Sequence, residues 1–306
     1  MAASSPGCGS ASSRSPGNGC PANWTERPEM SQSFVHYRVD GHVASITLAR
    51  PEKRNAMNRA MRDELWRSFD RAGSDECVRA VLVRAEGGHF CAGGDIADMR
   101  PGELDAEAGR DRILSATAGA RRLLELPKPV VMAVDGCAYG AGCSLVLAAD
   151  LVIATDRVRL AMSFLRIGLV PDLCSLFTLP RIVGWARAKA LLYSNREIGA
   201  EEALQLGIAS EVVSPDALDH RTGMIARALT RLPRSAFAMT KAALARSLSA
   251  DLDSMCDTET SAQAIAYSTS YHADAAGRLL AREPLPYQWP LFSLPGDKDA
   301  DNPDTR

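Results

Sequence analysis

The sequence predicts an α/β protein that carries an α-helical C-terminal region. Up to about residue 213, short β-rich apolar runs alternate with helical patterns, and from Ser214 onward the chain is almost wholly helical. Such an alternation is typical of an α/β core. Two strand–turn–helix units, each with a turn of small residues, also follow one another within this part of the chain.

The composition is that of an ordinary globular protein. The chain has 306 residues, of which 46% are hydrophobic and 24% are charged, and its formal net charge is −2. Because Lys and Arg are scattered among acidic residues, no basic block suggests a nucleic-acid partner. No apolar run reaches the roughly 18 residues that span a membrane, so we expect no membrane partner either.

The pattern of cysteines indicates the redox state of the cellular compartment rather than a metal site. The eight cysteines form no CxxC pair and the histidines are sparse and scattered, so we expect no metal. Several of the cysteines lie within apolar or small-residue runs, which is typical of buried free thiols in a reducing compartment. The sequence therefore predicts a cytoplasmic protein.

The chain divides into four predicted segments. Residues 1–32 are rich in Ser, Gly, Pro and Ala and lack the hydrophobic centre of a secretory signal, which predicts a disordered N-terminal extension. Residues 33–213 form the predicted α/β core. Residues 214–285 form the predicted helical region, and residues 286–306 form a polar tail.

A β-hairpin is predicted at the start of the core. Alternating runs at residues 34–39 and 42–48 are separated by Asp40-Gly41, which predicts a type I′ turn.

After a polar loop, Asn58 is the predicted N-cap of the first helix. The predicted buried face of this helix consists of Met61, Leu65, Trp66 and Phe69. Further strands are predicted at residues 80–83, 130–134, 151–154, 158–161 and 208–213. Further helices of the core are predicted to end at about Leu126, to lie at 145–149, to run through Leu179, and to lie at 185–193 and 200–206.

Two small-residue turns, at residues 86–96 and 136–142, each follow a predicted strand. A turn that leads into a helix aims backbone N–H groups at negative charge, and small side chains let a ligand approach them. The alternative is that these turns serve only the close packing of helix against strand.

Five motifs occur in order along the chain. They are Arg50-Pro51-Glu52-Lys53-Arg54-Asn55-Ala56, Phe90-Cys91-Ala92-Gly93-Gly94-Asp95-Ile96, Asp135-Gly136 through Ala149-Asp150, Ile167-Gly168-Leu169-Val170-Pro171, and Leu179-Pro180-Arg181-Ile182-Val183-Gly184. Together they resemble the enoyl-CoA hydratase/isomerase (crotonase) family over roughly residues 34–284. The resemblance implies a crotonase-like spiral of strand–strand–helix turns, with a helical C-terminal region that builds homotrimers or hexamers.

An acyl-CoA thioester substrate is also implied by this resemblance, with coenzyme A as part of the substrate and no tightly bound cofactor. The backbone N–H groups of Gly94 and Ala141 would form an oxyanion hole for the thioester oxygen, where they would stabilise an enolate. The residues implied in binding coenzyme A are Lys53, Arg54, Ala56, Ala92, Gly93, Gly94, Asp95, Ile96 and Lys241.

The acidic residues at the motif positions indicate which reaction of the family this chain catalyses. Family hydratases use two glutamates, and at those places this chain has Ser144 and Phe164, which supply neither acid nor base. Asp172 is the acid that remains nearby by resemblance, and one base suits isomerisation. We therefore predict an enoyl-CoA isomerase in which Asp172 shuttles a proton, most similar in motif to the 1,2-epoxyphenylacetyl-CoA isomerase branch of phenylacetate breakdown. The predicted substrate pocket includes Tyr139, Ser144 and Phe164.

Other interpretations remain open at this point. The chain could be a hydratase with nonstandard acid and base residues, a dehalogenase-like enzyme with Asp172 as nucleophile, or a catalytically impaired acyl-CoA-binding protein. Many relatives have Gly-Gly-Thr or Gly-Gly-Ser after the acid, whereas this chain has Cys174-Ser175-Leu176, so the acyl preference is open. Because neither motif contains a His, Cys143 and Cys174 are predicted to pack rather than to act as nucleophiles.

Overall fold

The computed structural model of the chain describes residues 33–99 and 105–290. The predicted extension at 1–32 and most of the predicted tail at 286–306 lie outside the described residues. Within the described ranges the chain forms eight strands and ten α-helices. The strands are β1 (Val35–Asp40), β2 (Val43–Leu48), β3 (Ala80–Ala85), β4 (Val130–Val134), β5 (Cys137–Tyr139), β6 (Leu151–Thr155), β7 (Arg159–Ala161) and β8 (Glu211–Val213). The helices are α1 (Arg59–Ser74), α2 (Ala106–Leu124), α3 (Ala141–Leu147), α4 (Ser175–Val183), α5 (Trp185–Ser194), α6 (Ala200–Gln205), α7 (Pro215–Leu229), α8 (Arg234–Ser247), α9 (Leu252–Tyr267) and α10 (Ser270–Ala281).

Two sheets organise the core. The larger sheet has the strand order β1-β2-β3-β4-β6-β8, and all its pairs are parallel except the antiparallel hairpin β1–β2. The smaller sheet pairs β5 with β7 in parallel. Because parallel strands need crossover connections, helices and loops return the chain to the same end of the sheet after each strand.

Successive turns of the chain place one strand in each sheet. β4 lies in the larger sheet, β5 lies in the smaller one, and α3 follows; β6, β7 and α4 repeat this order. Cys91, which comes shortly after β3, bridges Ala138 of β5 and so brings the preceding turn to the smaller sheet as well. This is the strand–strand–helix spiral that the sequence predicts.

The hairpin is confirmed, but the predicted type I′ turn is wrong. Asp40 pairs with Val43, so the two-residue loop is Gly41-His42 rather than Asp40-Gly41. Gly41 has φ +56°, whereas His42 is not among the described residues with positive φ. A type I′ turn needs positive φ at both loop residues, and a single positive φ at the first of them is the pattern of a type II′ turn.

The central strands β3 and β4 of the larger sheet bury both faces, whereas the edge strand β1 is mostly exposed. Val81 and Val83 of β3 belong to one apolar cluster, which includes the buried face of α1, and Leu82 belongs to a second cluster beneath α7. Successive side chains of a strand point to opposite faces, so each face has its own core. Asn58 caps α1 as predicted, with its side-chain oxygen accepting the Met61 N–H at 2.8 Å.

Beyond α7, the C-terminal helices are mostly exposed. None of the described residues of α8, α9 and α10 is buried. Large apolar side chains on or between these helices face solvent; they are Leu244, Leu248, Leu252, Ile265, Tyr267, Leu279 and Leu280. None of the helices in residues 33–99 and 105–290 is long and apolar enough to cross a membrane.

Candidate active site

Three loops meet at the carboxyl ends of β2, β3 and β4, and hydrogen bonds join them. Ala92 N–H donates to the Arg54 carbonyl at 2.9 Å, and Met57 N–H donates to the Gly93 carbonyl at 2.7 Å. On the other side, Tyr139 N–H donates to the Cys91 carbonyl at 2.9 Å. The turn after β3 is therefore held between the loop after β2 and the turn after β4.

Buried Asn55 anchors the first of these loops. Its side-chain oxygen accepts the Arg50 N–H at 2.8 Å, and its amide nitrogen donates to the carbonyls of Glu86 and His89, each at 2.8 Å. Asn55 has φ +56°, a left-handed conformation that Asn tolerates better than most residues. Its chain position in a polar loop gave no sign of this structural role.

The two turns approach each other more closely than side chains would permit. Gly93 has φ +102°, and a Cβ there would lie 2.9 Å from the Tyr139 carbonyl oxygen and 3.9 Å from the Ala141 nitrogen. A Cβ on Gly142, in α3, would lie 2.8 Å from the Cys91 Cβ and would strike the Cys91 carbonyl. Glycine at these two positions is what brings the Gly94 and Ala141 region together.

The N–H groups of Gly94 and Ala141 have no acceptor among the described residues. N–H groups nearby in the chain do have acceptors. The Asp95 N–H donates to the Met57 carbonyl at 2.9 Å, and the Ser144 N–H donates to the Gly140 carbonyl at 2.9 Å. Ala141 is the first residue of α3, where an N–H lacks an intrahelical partner. Two N–H groups are thus left available to an oxygen from outside the chain.

Met99 adds a contact that the sequence did not suggest. A Cβ on Gly94 would collide with the Met99 side-chain methyl group, so this thioether lies against Gly94. Its neighbour Asp98 is held from two helices, because Arg59 N–H donates to its carboxylate at 2.7 Å and the Arg112 guanidinium donates to its carbonyl at 2.8 Å.

Asp172 lies on the segment before α4, beside a cavity of about 1,050 Å³. The walls of this cavity come from α2, residues 169–177 and α8. The Asp172 Oδ1 atom is buried and has no hydrogen-bond partner among the described residues. Burial raises the pKa of this carboxyl to about 6, while the positive charges of Arg62 and Arg112 oppose the rise.

The backbone around Asp172 is strained. Leu173 and Cys174 follow it with φ values of +51° and +63°, in the left-handed region that bulky residues rarely adopt. The Asp172 carbonyl accepts the Ser175 N–H at 3.0 Å at the beginning of α4. Strain of this kind persists where the surrounding structure holds a side chain in a required position.

The structure does not place every predicted site residue in one pocket. Arg54, Ala92, Gly93 and Ala141 come together around the three loops, as described above, and the Ala56 carbonyl accepts a hydrogen bond from the Arg50 guanidinium at 2.8 Å. Asp172 and Lys241 line the cavity instead, and Gly94 and Ala141 are not among its lining residues. Arg112 connects the two regions, because it holds the Asp98 carbonyl and its charge acts on Asp172.

Lys241 has a partner within the chain. Its ammonium group lies 2.7 Å from Asp150 Oδ2, the same atom that accepts the Val130 N–H at 2.8 Å. Burial raises the pKa of Asp150, and the charge of Lys241 opposes this. The pair attaches α8 to the edge of the core, and its ammonium also faces the cavity.

The three residues predicted for the substrate pocket do not line the cavity beside Asp172. Ser144 is fully buried and its hydroxyl donates to the Gly140 carbonyl at 3.3 Å. Phe164 is 6% exposed, and its ring lies 3.9 Å from where a Cβ on Gly140 would be. Tyr139 donates its hydroxyl proton to Glu197, and burial is the main cause that raises its pKa to about 12.

The cysteines show no sign of nucleophilic activation. Burial raises the pKa of Cys143 to about 12 and also raises that of Cys174. Cys91, Cys137, Cys143, Cys174 and Cys256 are free thiols, as expected. Cys77 is disulfide-bonded, which corrects the expectation of a free thiol at that position.

The chain is similar to known proteins in both sequence and fold. A model of the family described as enoyl-CoA hydratase/isomerase matches residues 38–283. The 1,2-epoxyphenylacetyl-CoA isomerase of Escherichia coli is 32% identical over 251 residues, which cover 81% of this chain and 96% of that protein. A probable enoyl-CoA hydratase of Rhodobacter capsulatus is 39% identical over 220 residues, which cover 72% of this chain and 84% of that protein.

Among solved structures, an enoyl-CoA hydratase/isomerase from Cupriavidus metallidurans superposes with a TM-score of 0.82 at 37% identity. The superposition covers 86% of this chain and all of that one. Since a family model spans most of the sequence and the fold agrees with a solved relative, this chain belongs to the enoyl-CoA hydratase/isomerase family.

Proposed function

We propose that this protein is an enoyl-CoA isomerase that moves a double bond along an acyl-CoA thioester. The N–H groups of Gly94 and Ala141 form the oxyanion hole, and Asp172 carries the proton. The observation that carries the proposal is the state of Asp172: its Oδ1 is buried without a partner beside a large cavity, and its pKa is raised to about 6. A carboxylate of that pKa is suited to both accepting and returning a proton near neutral pH.

The proposed reaction uses one base twice. The Asp172 carboxylate takes a proton from Cα of a 3-enoyl-CoA, and the electron pair of the broken C–H bond moves into the thioester to give an enolate oxygen. The two N–H donors stabilise this charge as it develops. The carboxylic acid then returns the proton to Cγ, the Cα–Cβ double bond forms, and the thioester carbonyl is restored.

Hydration is less well supported by these residues. Ser144 is bound to the Gly140 carbonyl, and Phe164 has no titratable group, so neither activates water. The comparisons include both a hydratase and an isomerase by name and therefore do not decide between the two reactions. Asp172 is the acid on which we base the choice.

Coenzyme A is proposed to bind along the loops after β2 and β3. Lys53 and Arg54 would offset phosphate charge, while backbone groups at Ala56 and Ala92 would contact the adenine. The acyl group would extend into the cavity beside Asp172. By its similarity to 1,2-epoxyphenylacetyl-CoA isomerase, we include ring-bearing acyl groups among the substrates to test, together with linear ones.

The experiment that tests the proposal is the double-bond shift of a panel of 3-enoyl-CoA esters, with wild type and Asp172→Asn. We expect Asp172→Asn to lower kcat by about 10²–10⁴-fold, the usual worth of a positioned acid–base group. Asp253→Asn, on exposed α9, is the matched control and should keep the wild-type rate. Equal rates in wild type and Asp172→Asn would remove Asp172 from the mechanism.

Two further measurements separate the alternatives. Incorporation of labelled solvent oxygen into the product of crotonyl-CoA would indicate a hydratase. Tight binding of acyl-CoA without α-proton exchange in heavy water would indicate a binding protein.

A further inference from the structure

Arg50 contacts both loops that are proposed to hold the substrate. One nitrogen of its guanidinium, Nη1, donates to the Ala56 carbonyl at 2.8 Å and to Asp95 Oδ2 at 2.6 Å. The side chains of Arg50 and Asp95 are only 13% and 14% exposed. A charge pair held this far from solvent is well ordered, and its hydrogen bonds are stronger than those of neutral groups.

The second partner of Arg50 lies next to the proposed oxyanion donor. Asp95 directly follows Gly94, and its other carboxylate oxygen accepts the Ala97 N–H at 3.0 Å. The bond from Arg50 is the first cause that lowers the pKa of Asp95, which keeps this carboxyl ionised. The Asp95 N–H also donates to the Met57 carbonyl at 2.9 Å, so the residue that directly follows Gly94 is held by Arg50 and by Met57, both from the loop after β2.

Ala56, the other partner of the Arg50 guanidinium, lies in the loop after β2, which is the proposed nucleotide loop. Ala56 is one of the residues whose backbone is proposed to contact the adenine, and its carbonyl is the group that Arg50 holds. The backbone N–H of Arg50 also donates to the buried side-chain oxygen of Asn55, so both the backbone and the side chain of Arg50 are bonded within this loop. One guanidinium thus joins the nucleotide loop to the oxyanion turn.

We propose that Arg50 is a positioning residue that couples binding of the nucleotide part of coenzyme A to the placement of the Gly94 N–H. The inference rests on the proposed function, because it assigns the Gly94 N–H to the thioester oxygen. Contacts to a remote, unreacting part of a substrate raise kcat only if they are linked to the reacting centre. The guanidinium provides such a link.

The test compares two thioesters of the same acyl group, one of coenzyme A and one of pantetheine, which lacks the nucleotide. For wild type we expect kcat to be at least about tenfold higher with the coenzyme A ester, because the nucleotide contacts help to fix the Gly94 N–H. In Arg50→Ala the ratio of the two kcat values should fall to near one. Arg50→Lys, which keeps the charge but not the planar fork, should give an intermediate ratio.

A merely structural role predicts a different result. General damage to the fold would lower kcat for both esters by the same factor and leave their ratio unchanged. That outcome, or a wild-type ratio near one, would overturn the inference. Arg84→Ala is the matched control: Arg84 lies near the end of β3, but its guanidinium pairs with Asp219 of α7 at 3.2 Å, so the substitution should leave the ratio unaltered.

A spectroscopic measurement separates this inference from the proposed isomerase activity. A chromophoric cinnamoyl-CoA ester absorbs at longer wavelength when its carbonyl is polarised, and this requires no turnover. We expect a red shift on binding to wild type that is lost in Arg50→Ala at saturating ester. If wild type gives the shift, Arg50→Ala loses it and wild type isomerises no ester, the proposed function fails and the coupling stands. If isomerisation is found and Arg50→Ala keeps the full shift, the coupling fails alone.

Discussion

Asp172 is a side chain whose ionised form is disfavoured by its surroundings. Desolvation raises its folded-state pKa from 3.8 to about 6, and Arg62 and Arg112 offset only part of this. Below pH 4 the carboxyl is protonated in both the folded and the unfolded chain. Between pH 4 and 6 the unfolded chain loses the proton first, so this group lowers stability progressively as the pH rises.

The stability of Asp172→Asn should therefore depend on pH in a defined way. A shift of about two pH units is worth on the order of 3 kcal/mol, and the neutral amide avoids this cost above pH 6. We expect the variant to match wild type near pH 4 and to be more stable by a few kcal/mol at pH 7. Urea unfolding of both proteins from pH 4 to 8 measures the difference, and a gap that stays constant with pH would contradict it.

Ala141 allows a backbone donor to be removed without a large change of fold. Proline is tolerated at the first position of a helix, where its missing N–H has no intrahelical partner. Ala141→Pro should lower kcat by about 10²–10³-fold, equivalent to roughly 2.7–4 kcal/mol of transition-state stabilisation. Ala141→Gly keeps the N–H and is the control. Wild-type kcat in a folded Ala141→Pro variant would show that this N–H does not contact the thioester oxygen.

At the scale of elements, the distance between α3 and the turn after β3 is set by Gly142. Ala favours helices over Gly by about 1 kcal/mol, but a Cβ at this position would lie 2.8 Å from the Cys91 Cβ. We expect Gly142→Ala to destabilise the fold by about 1–3 kcal/mol, the cost of overpacking, and to lower kcat as α3 moves away. Urea unfolding and the isomerase assay measure the two effects.

Gly277→Ala, in α10, is the matched comparison for this prediction. A Cβ at Gly277 meets no atom of the described residues within 4 Å, so the same substitution should be neutral or stabilising by up to about 1 kcal/mol. If both variants changed stability in the same direction, the contact between α3 and Cys91 would not be the cause.

Local signals in the sequence predicted the elements well. Asn58 before an apolar helical pattern gave the N-cap and the buried face of α1, because capping depends only on neighbouring residues. Element boundaries were less accurate: the predicted strand at 208–213 is limited to Glu211–Val213, and α3 begins at Ala141 rather than at 145. The hairpin loop was placed one residue early, because its register depends on cross-strand pairing.

The interactions that tune the site were not predictable from the sequence. Lys241 and Asp150 are 91 positions apart, and Arg50 and Asp95 are 45 positions apart. The same holds for the charges of Arg62 and Arg112 that act on Asp172. Motif spacing identifies residue types, but only the fold determines which of them come within hydrogen-bond distance.

At the scale of the whole molecule, the C-terminal helices expose an unusual amount of apolar surface. Leu252 is 77% exposed and Leu280 is 88% exposed, and surfaces of this kind indicate an interface. We predict a homotrimer, or a hexamer made of two trimers. Light scattering should give three or six chain masses, and a monomer mass would contradict the prediction.

A double substitution tests whether these helices form that interface. Leu252→Glu with Leu280→Glu would place charges where apolar surface is buried, so we expect the assembly to dissociate at micromolar concentration while the chain stays folded. Arg38→Glu, on the exposed hairpin, is the control and should leave the mass unchanged.

The two N–H groups that have no acceptor among residues 33–99 and 105–290 have a consequence for how a fold of this kind diversifies over evolutionary time. The proposed charge-stabilising part of the site belongs to the main chain at Gly94 and Ala141, and it persists as long as the spiral and its small residues are inherited. The proton-handling part belongs to a side chain, proposed to be Asp172 in this protein, whereas the positions of the two family glutamates hold Ser144 and Phe164; each of these residues can be exchanged through a single codon. A lineage can therefore move its acid from one position to another and acquire a new reaction while the shared intermediate is retained.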